Sequence, residues 1–305
     1  MDGDVAGNSL SIYSHNVNSL SKHFQEIRTF LNGFKNKFDI VSFTETKLSD
    51  DIEQLYRLPN YNSFSLNNKR NSGGLMIYVN DNFEVTTRND LTYKNDILEC
   101  IFVEIKLSNS EHVVFGNMYR RPNTSIIDYL NILANILLTL KSESKKVIIS
   151  GDININLLNC KNNGQIADYV NLFRSHNFLS LINKPTGATN NSCTLIDHVW
   201  SNYYSNLIVG AIVYNQISDH FPTISIFNLC EVKQNANIYE FITYRDLSDI
   251  NNSLFSEELS KISWDLVLNS SNPNIAYDYF STFICNIFKK CFPYVTKKIK
   301  VKYKE

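Results

Sequence analysis

The 305-residue sequence predicts a layered α/β domain built on mixed or antiparallel sheets. Three observations lead there. Between about residue 10 and residue 228, short apolar β-rich runs alternate with helical patterns. Many of those runs are too short to be helices. Two consecutive runs, Leu98 to Leu107 and Val113 to Tyr119, are joined by the polar turn Ser108-Asn109-Ser110-Glu111, the signature of a hairpin and not of a doubly wound parallel sheet.

The strand-like runs are, in order, Ser11 to His15, Ile40 to Thr44, Gly74 to Val79, Leu98 to Leu107, Val113 to Tyr119, Lys146 to Ser150, Leu195 to Trp200 and Thr223 to Phe227. Between them Phe24, Ile27, Leu31 and Phe34 recur at helical spacing, as do Ile126, Tyr129, Leu130, Leu133 and Leu137, and a third helix is expected over Ile166 to Phe173. After Phe227 the character changes to a polar stretch through Glu231, Lys233, Gln234 and Asn235, then to sparse helical patterns with no further strand of comparable strength. The spacing of Ile275, Tyr279, Phe283, Ile287 and Phe288 predicts an amphipathic helix. It leads into a basic end at Lys297, Lys298, Lys300, Lys302 and Lys304, read as a solvated terminus or as a nucleic-acid or partner contact. The division is therefore a short tail at residues 1–9, the α/β domain at residues 10–228 and a mainly helical segment at residues 229–305.

A hydrophobic content of 43% is ample for a buried core without covalent staples. The six cysteines are scattered, with no CxxC pair, which fits a reducing compartment and thiols mostly in the core. Met1 is followed by Asp2, Gly3 and Asp4, not by a basic and apolar leader, and no run is apolar enough to span a bilayer, so an intracellular protein without a membrane partner is expected. The net charge of −1 offers no global attraction for nucleic acid, so any such contact must come from local patches.

Polar residues recur where apolar strands end. Asn16 closes the first run, Glu45 the second, Tyr119 the fifth, and Asp152 and Asn154 follow the sixth. Asp197 and His198 lie inside Leu195-Ile196-Asp197-His198-Val199, and Asp219 with His220 precedes the last run. Taken singly, each has an ordinary explanation as a turn or cap residue. Together they supply oxygen ligands for a hard divalent cation, a base for a water molecule and donors for a phosphate, the three needs of phosphoester hydrolysis.

The ordered series His15-Asn16-Val17-Asn18-Ser19-Leu20, Thr44-Glu45-Thr46-Lys47-Leu48, Met118-Tyr119-Arg120-Arg121-Pro122, Gly151-Asp152-Ile153-Asn154, Leu195-Ile196-Asp197-His198 and Ser218-Asp219-His220 resembles the endonuclease/exonuclease/phosphatase superfamily over residues 10–228. The wording of the motifs is similar to that of endonucleases of jockey- or CR1-type non-LTR retrotransposons. The resemblance implies a DNase I-like four-layered α/β sandwich, with two packed mixed sheets flanked by helices and a C-terminal extension leading toward a reverse transcriptase.

It further implies a magnesium-dependent endonuclease, with manganese as a substitute, that nicks DNA and leaves a 3′-hydroxyl to prime reverse transcription, acting in the nucleus on chromosomal DNA. Retrotransposon RNA or a reverse transcriptase domain would be its partners in a full-length element. On the family pattern, Glu45, Asn16 and Asp219 are the metal residues. Asp152, His220, Asn154, Tyr119 and Asp197 are the catalytic ones, with Asp197 fixing the ring of His220. Either Asp152 or His220 is the general base. Thr186 stands where a phosphate-contacting hydroxyl is often placed, with Thr189 and Thr194 as competitors, and Arg120 and Arg121 lie within reach of a backbone phosphate or serve solubility. His15, His23, His112 and His176 match no motif position and are read as structural, as is His198, which alternation turns away from Asp197. The same fold also serves phosphatases and other phosphodiesterases, and a decayed element fragment acting as an interaction module is the reading from another class.

Overall fold

The computed structural model describes residues 9–68, 72–107, 111–188, 192–229 and 239–300. The chain divides into two compact units, Met1–Glu231 and Val232–Glu305. The first begins with β1 (Ser9–Asn16), α1 (Leu20–Asn32), β2 (Ile40–Thr44), β3 (Tyr61–Leu66), β4 (Leu75–Asn80), β5 (Glu84–Thr87), β6 (Tyr93–Lys94), β7 (Leu98–Lys106) and β8 (His112–Arg120). It continues through α2 (Ile126–Ser142), β9 (Lys146–Asp152), α3 (Gly164–Ser175), β10 (Leu179–Ser180), β11 (Gly187–Ala188), β12 (Cys193–Thr194), β13 (Asp197–Ser201), β14 (Leu207–Ile212) and β15 (Thr223–Asn228).

Two large sheets result, in the orders β14-β15-β1-β2-β4-β3 and β10-β13-β9-β8-β7-β5, with β6 also on β7, and β11 pairs with β12 apart from them. Each holds one parallel pair among antiparallel neighbours, β1 with β2 and β8 with β9. A parallel pair needs a crossover, and α1 and α2 supply them. Each helix covers the outer face of its own sheet. Leu20, Phe24, Ile27 and Leu31 of α1 pack on Tyr13, Val41, Phe43 and Tyr78, a burial that contributes roughly 1.5–3 kcal/mol per side chain. On the other side Tyr129, Leu133 and Leu137 of α2 and Tyr169 and Phe173 of α3 cover Val147, Ile149 and Trp200. The residues of opposite parity, among them Ile12, Ile40, Ile77, Val103, Phe115, Ile148, Val199 and Phe227, fill the space between the sheets. The architecture is the four-layered DNase I-like sandwich.

The second unit pairs β16 (Tyr239–Arg245) antiparallel with β17 (Tyr294–Lys300) around α4 (Asp249–Ser260), α5 (Asp265–Leu268) and α6 (Pro273–Cys291). The sequence predicts no further strand of comparable strength here. The ribbon forms because its strands meet across the intervening helices: the Arg245 guanidinium donates to the Phe292 carbonyl and lies 4.1 Å from the Tyr294 ring centre and 5.2 Å from that of Phe288. Among the described residues no helix is long and apolar enough to cross a membrane. The cysteines depart from expectation: Cys100 and Cys291 are buried, but Cys193 and Cys285 are exposed. The turn at residues 108–110, Thr189, Cys230, the polar stretch at residues 231–235 and Lys302 and Lys304 lie outside the described residues, as do the side chains of Lys298 and Lys300.

Candidate active site

The carboxyl ends of both parallel pairs meet at one edge of the sandwich. In β9, Asp152 is in register with Tyr119 of β8 on one side and Asp197 of β13 on the other. Asn16, the last residue of β1, reaches across from the other sheet. Its Nδ2 donates to Asp152 Oδ2 at 2.8 Å and to Glu45 Oε1 at 2.9 Å. One amide group thus ties two carboxylates of different sheets, with Asn16 and Asp152 each only 1% exposed.

The backbone around this edge is bent. Asn18, Ser19, Glu45, Lys47 and Asn154 are five of the nine non-glycine residues with positive φ among the described residues. Such conformations cost free energy and persist where surrounding bonds over-determine them. Here Ser19 N donates to Glu45 O and Lys47 N to Gly73 O. Lys47 Nζ donates to Asn18 Oδ1 at 2.5 Å and stands 3.4 Å from Glu45 Oε2, while Asn18 Nδ2 is 3.4 Å from Asp219 Oδ1 at the exposed rim.

His220 Nδ1 lies 2.8 Å from Asp197 Oδ2. An ionised carboxylate only accepts, so Nδ1 carries the proton and Nε2 is left for a ligand. Burial works against the charged ring, but the charge and hydrogen bond of Asp197, with the charges of Asp152 and Asp219, override it and raise the pKa to about 10. Asp152 moves upward from the usual carboxylate range, because it is buried and faces Asp197; His220 and the donors on Asn154 and Asn16 hold part of that rise back. Burial, followed by the charges of Glu45 and Asp152, keeps the Tyr119 hydroxyl protonated well beyond the ordinary phenol range. The cleft therefore presents a cationic imidazole, a carboxylate poised toward neutrality and a permanent hydroxyl donor.

Residues 13–220, an interval that contains every one of these groups, match the family model described as the Endonuclease/Exonuclease/phosphatase family. The chain belongs to that family. No curated protein matches the sequence significantly. Solved structures share its fold. An AP endonuclease from Leishmania major superposes with a TM-score of 0.59 at 13% identity, over 72% of this chain and 88% of that one. The endonuclease domain of TRAS1, a telomere-specific non-LTR retrotransposon, gives 0.58 at 14% identity, over 72% and 99%. The 3′-5′ exonuclease NExo from Neisseria meningitidis gives 0.54 at 14% identity, over 72% and 100%.

Members of this family are generally dependent on a divalent cation. The carboxylates of Glu45 and Asp152 lie close enough to share the Asn16 amide, and Glu45 also faces Lys47. Oxygen-rich, negative and partly open, this part of the cleft suits a hard cation. Among the described residues, the group that brings three carboxylate or imidazole ligand atoms within 4.8 Å of one another is Asp152, Asp197 and His220. That triad is internally satisfied by the Asp197–His220 hydrogen bond, whereas Asp219 reaches the Glu45 side only through Asn18.

Two residues expected at the phosphate stand elsewhere. Arg120 is 3% exposed, and its guanidinium donates to the carbonyls of Ile153, Asn154 and Thr124. Thr186 is fully buried, and its hydroxyl accepts from the amides of Ile196 and Asp197 at 3.3 and 3.1 Å. Each is buried and clamps a loop of the site, so neither is open to a ligand in the cleft. Arg121 is half committed: Nη2 bonds the fully buried Glu99 carboxylate at 2.5 Å and Nη1 reaches Ser72 Oγ.

Other supports were not read from the sequence. Glu99 also accepts from the Gly74 amide, and the carbonyls of Gly73 and Gly74 accept from Lys47 and Thr46, so Glu99 holds the Glu45 turn from beneath. His15 is 2% exposed, and its Nε2 must donate, because the His220 carbonyl 3.0 Å away cannot. Nδ1 then accepts from the Tyr13 hydroxyl, and Ser218 Oγ, beside Nε2, donates to the Asn16 carbonyl. His15 thus joins the loop that carries His220 to the strand that carries Asn16. His198 faces the opposite way, bonded to the Tyr169 hydroxyl and the Leu195 carbonyl in the outer core.

Proposed function

We propose that the chain is a magnesium-dependent DNA endonuclease that nicks one strand and leaves a 3′-hydroxyl, as the first step of target-primed reverse transcription by a retrotransposon. The observation that carries this reading is the Asn16 amide, which draws Glu45 and Asp152 from different sheets into one cleft beside the Asp197–His220 pair. In the proposed reaction Asp152, its pKa raised by burial, takes the proton of the attacking water. The water oxygen bonds to phosphorus as the bond to the 3′ oxygen breaks, and that oxygen takes a proton from solvent to leave as the 3′-hydroxyl. The cationic His220 and the Tyr119 hydroxyl hold the phosphate oxygens, with Asp197 fixing the ring, while Asn154, whose Nδ2 donates to Asp152 Oδ2 and to the Arg120 carbonyl, orients the base. Glu45 and Asn16, with Asp219 at the rim, would hold the cation, which supplies charge neutralisation on the phosphate when bound.

DNA as the substrate is supported by the retrotransposon-like motifs and by relatives of this fold: a TDP2 structure from D. rerio is complexed with a single-strand DNA product, and a NExo structure is bound to a product DNA hairpin. We read residues 229–305 as a connector toward a reverse transcriptase domain. The exposed apolar side chains Leu247, Ile250, Leu268 and Tyr277 support a further packing partner there.

Relaxation of supercoiled plasmid, with magnesium and with EDTA, tests the reading. The intact chain should produce open circles only with the metal, and Asp152→Ala and His220→Ala should not. Absence of nicking by the intact chain, or equal nicking by the variants, refutes it.

A further inference from the structure

We propose that Arg120 is a positioning residue that sets the Asp152–Asn154 loop from behind and touches no substrate; the proposal rests on the nicking activity argued above. Tyr119 and Arg120 are neighbours on β8, so their side chains leave on opposite faces. Tyr119 lies with the residues between the sheets, and Arg120 points into the outer layer, 5.9 Å from the ring centre of the fully buried Tyr129 on α2. Its Nη1 donates to Ile153 O and Asn154 O, each at 3.3 Å, and Nη2 donates to Thr124 O just ahead of α2.

The contact is reciprocal. Asn154 Nδ2 donates to the Arg120 carbonyl at 2.8 Å. Asn154 has a φ of 52°, a left-handed conformation, and in it the Asn154 amide nitrogen donates to Asp152 Oδ1 at 3.0 Å and Nδ2 to Oδ2 at 3.2 Å. Fixing the carbonyls of residues 153 and 154 therefore fixes both the Asp152 carboxylate and the Asn154 amide. Three carbonyls from two segments converge on one cation. A planar guanidinium serves them along different edges at once, whereas an ammonium is a compact point donor that reaches one side only. Charge alone is then insufficient, and Arg120→Lys should behave like Arg120→Met.

The test uses the full chain and these two variants, in nicking kinetics with magnesium and in binding of intact duplex in EDTA across a salt series. Positioning predicts a kcat lowered about 100-fold, as small misplacements of reacting groups cause, with KM, duplex affinity and its salt slope unchanged. A kcat equal to that of the parent overturns the proposal. So does weakened duplex binding with the salt slope reduced by about 0.9, the mark of one lost phosphate contact. If Arg120→Lys fails to melt cooperatively, the guanidinium supports the whole fold and the proposal is likewise overturned. The amide resonance of Asn154 Nδ2 in labelled protein separates this claim from the catalytic one: it should move in Arg120→Lys even if the parent chain does not nick, and an unmoved resonance rejects the clamp.

Discussion

Replacing Asp197 by Asn removes the charge that chiefly holds His220 in its cationic state while keeping the side chain's size. In the intact site the ring is raised from 6.5 to about 10 against the opposing effect of burial, a preference for the charged form of ~5 kcal/mol at ~1.4 kcal/mol per pKa unit. Because the folded-state value is raised, the cation is fully present below pH 6.5 and is lost only as pH rises through about 10. Without Asp197 the residual pull of Asp152 and Asp219 must offset burial alone. If the ring returns to its ordinary value, about one molecule in ten is charged at pH 7.5 and about three in four at pH 6. Nicking at saturating magnesium should therefore fall by about tenfold or more at pH 7.5 and recover as pH is lowered to 6, with the alkaline limb displaced by roughly three pH units. The assay is a plasmid-nicking rate profile from pH 5.5 to 10.5 for both proteins. An alkaline limb that stays in place in Asp197→Asn refutes the idea that a charged His220 acts on the phosphate.

Further outcomes follow from the supports of the site. Burial lowers the pKa of His198 from 6.5 to about 4, so its neutral ring stabilises the fold above pH 6.5 and that stability is lost as pH falls toward 4, by up to ~3 kcal/mol. Thermal melts between pH 7 and pH 4 should show a shallower decline for His198→Gln, and parallel curves would contradict this. Gly151 has a φ of 140°, and a Cβ there would lie 1.8 Å from the Met118 carbonyl oxygen of the neighbouring strand; Gly151→Ala should cost more than ~3 kcal/mol in urea unfolding, while Gly164→Ala, where a Cβ meets nothing within 4 Å, should cost nothing. Glu99→Ala leaves the Gly74 amide and the Arg121 guanidinium without their shared partner. It should cost ~3–5 kcal/mol, and a loss below ~1 kcal/mol would show that the Glu45 turn does not hang on it.

Much of the fold was legible because the core strands carry dense apolar runs such as Ile40 to Thr44 and Val147 to Ser150. What stayed hidden were strands with half-exposed faces: polar positions dilute the pattern in Tyr61–Leu66, and Leu207–Ile212 is a short apolar run interrupted by Gly210. The β16–β17 ribbon also escaped, since its partners are separated by three helices and no local turn signals the pairing. At the site, motif order identified Asn16, Glu45, Tyr119, Asp152, Asn154, Asp197 and His220, which the fold gathers at one edge. Arg120 was read from its nearness to Tyr119 and Thr186 from the family pattern, and both are buried against loops of the site. Alternation along β8 already forbids Tyr119 and Arg120 from facing the same cleft, and alternation along β1 separates His15 from Asn16 in the same way. The Thr186 hydroxyl is spent on the amides of Ile196 and Asp197, ten and eleven residues further along, a loop contact no periodicity encodes.

In the proposed reaction the divalent cation lies on the Glu45 and Asn16 side of the cleft, apart from the Asp197–His220 pair. Anomalous diffraction from crystals grown with manganese measures this directly. We expect one strong peak within bonding distance of the Glu45 carboxylate, lost in Glu45→Gln. A peak held by Asp152, Asp197 and His220, with none at Glu45, would contradict the assignment of roles on which the proposed reaction depends.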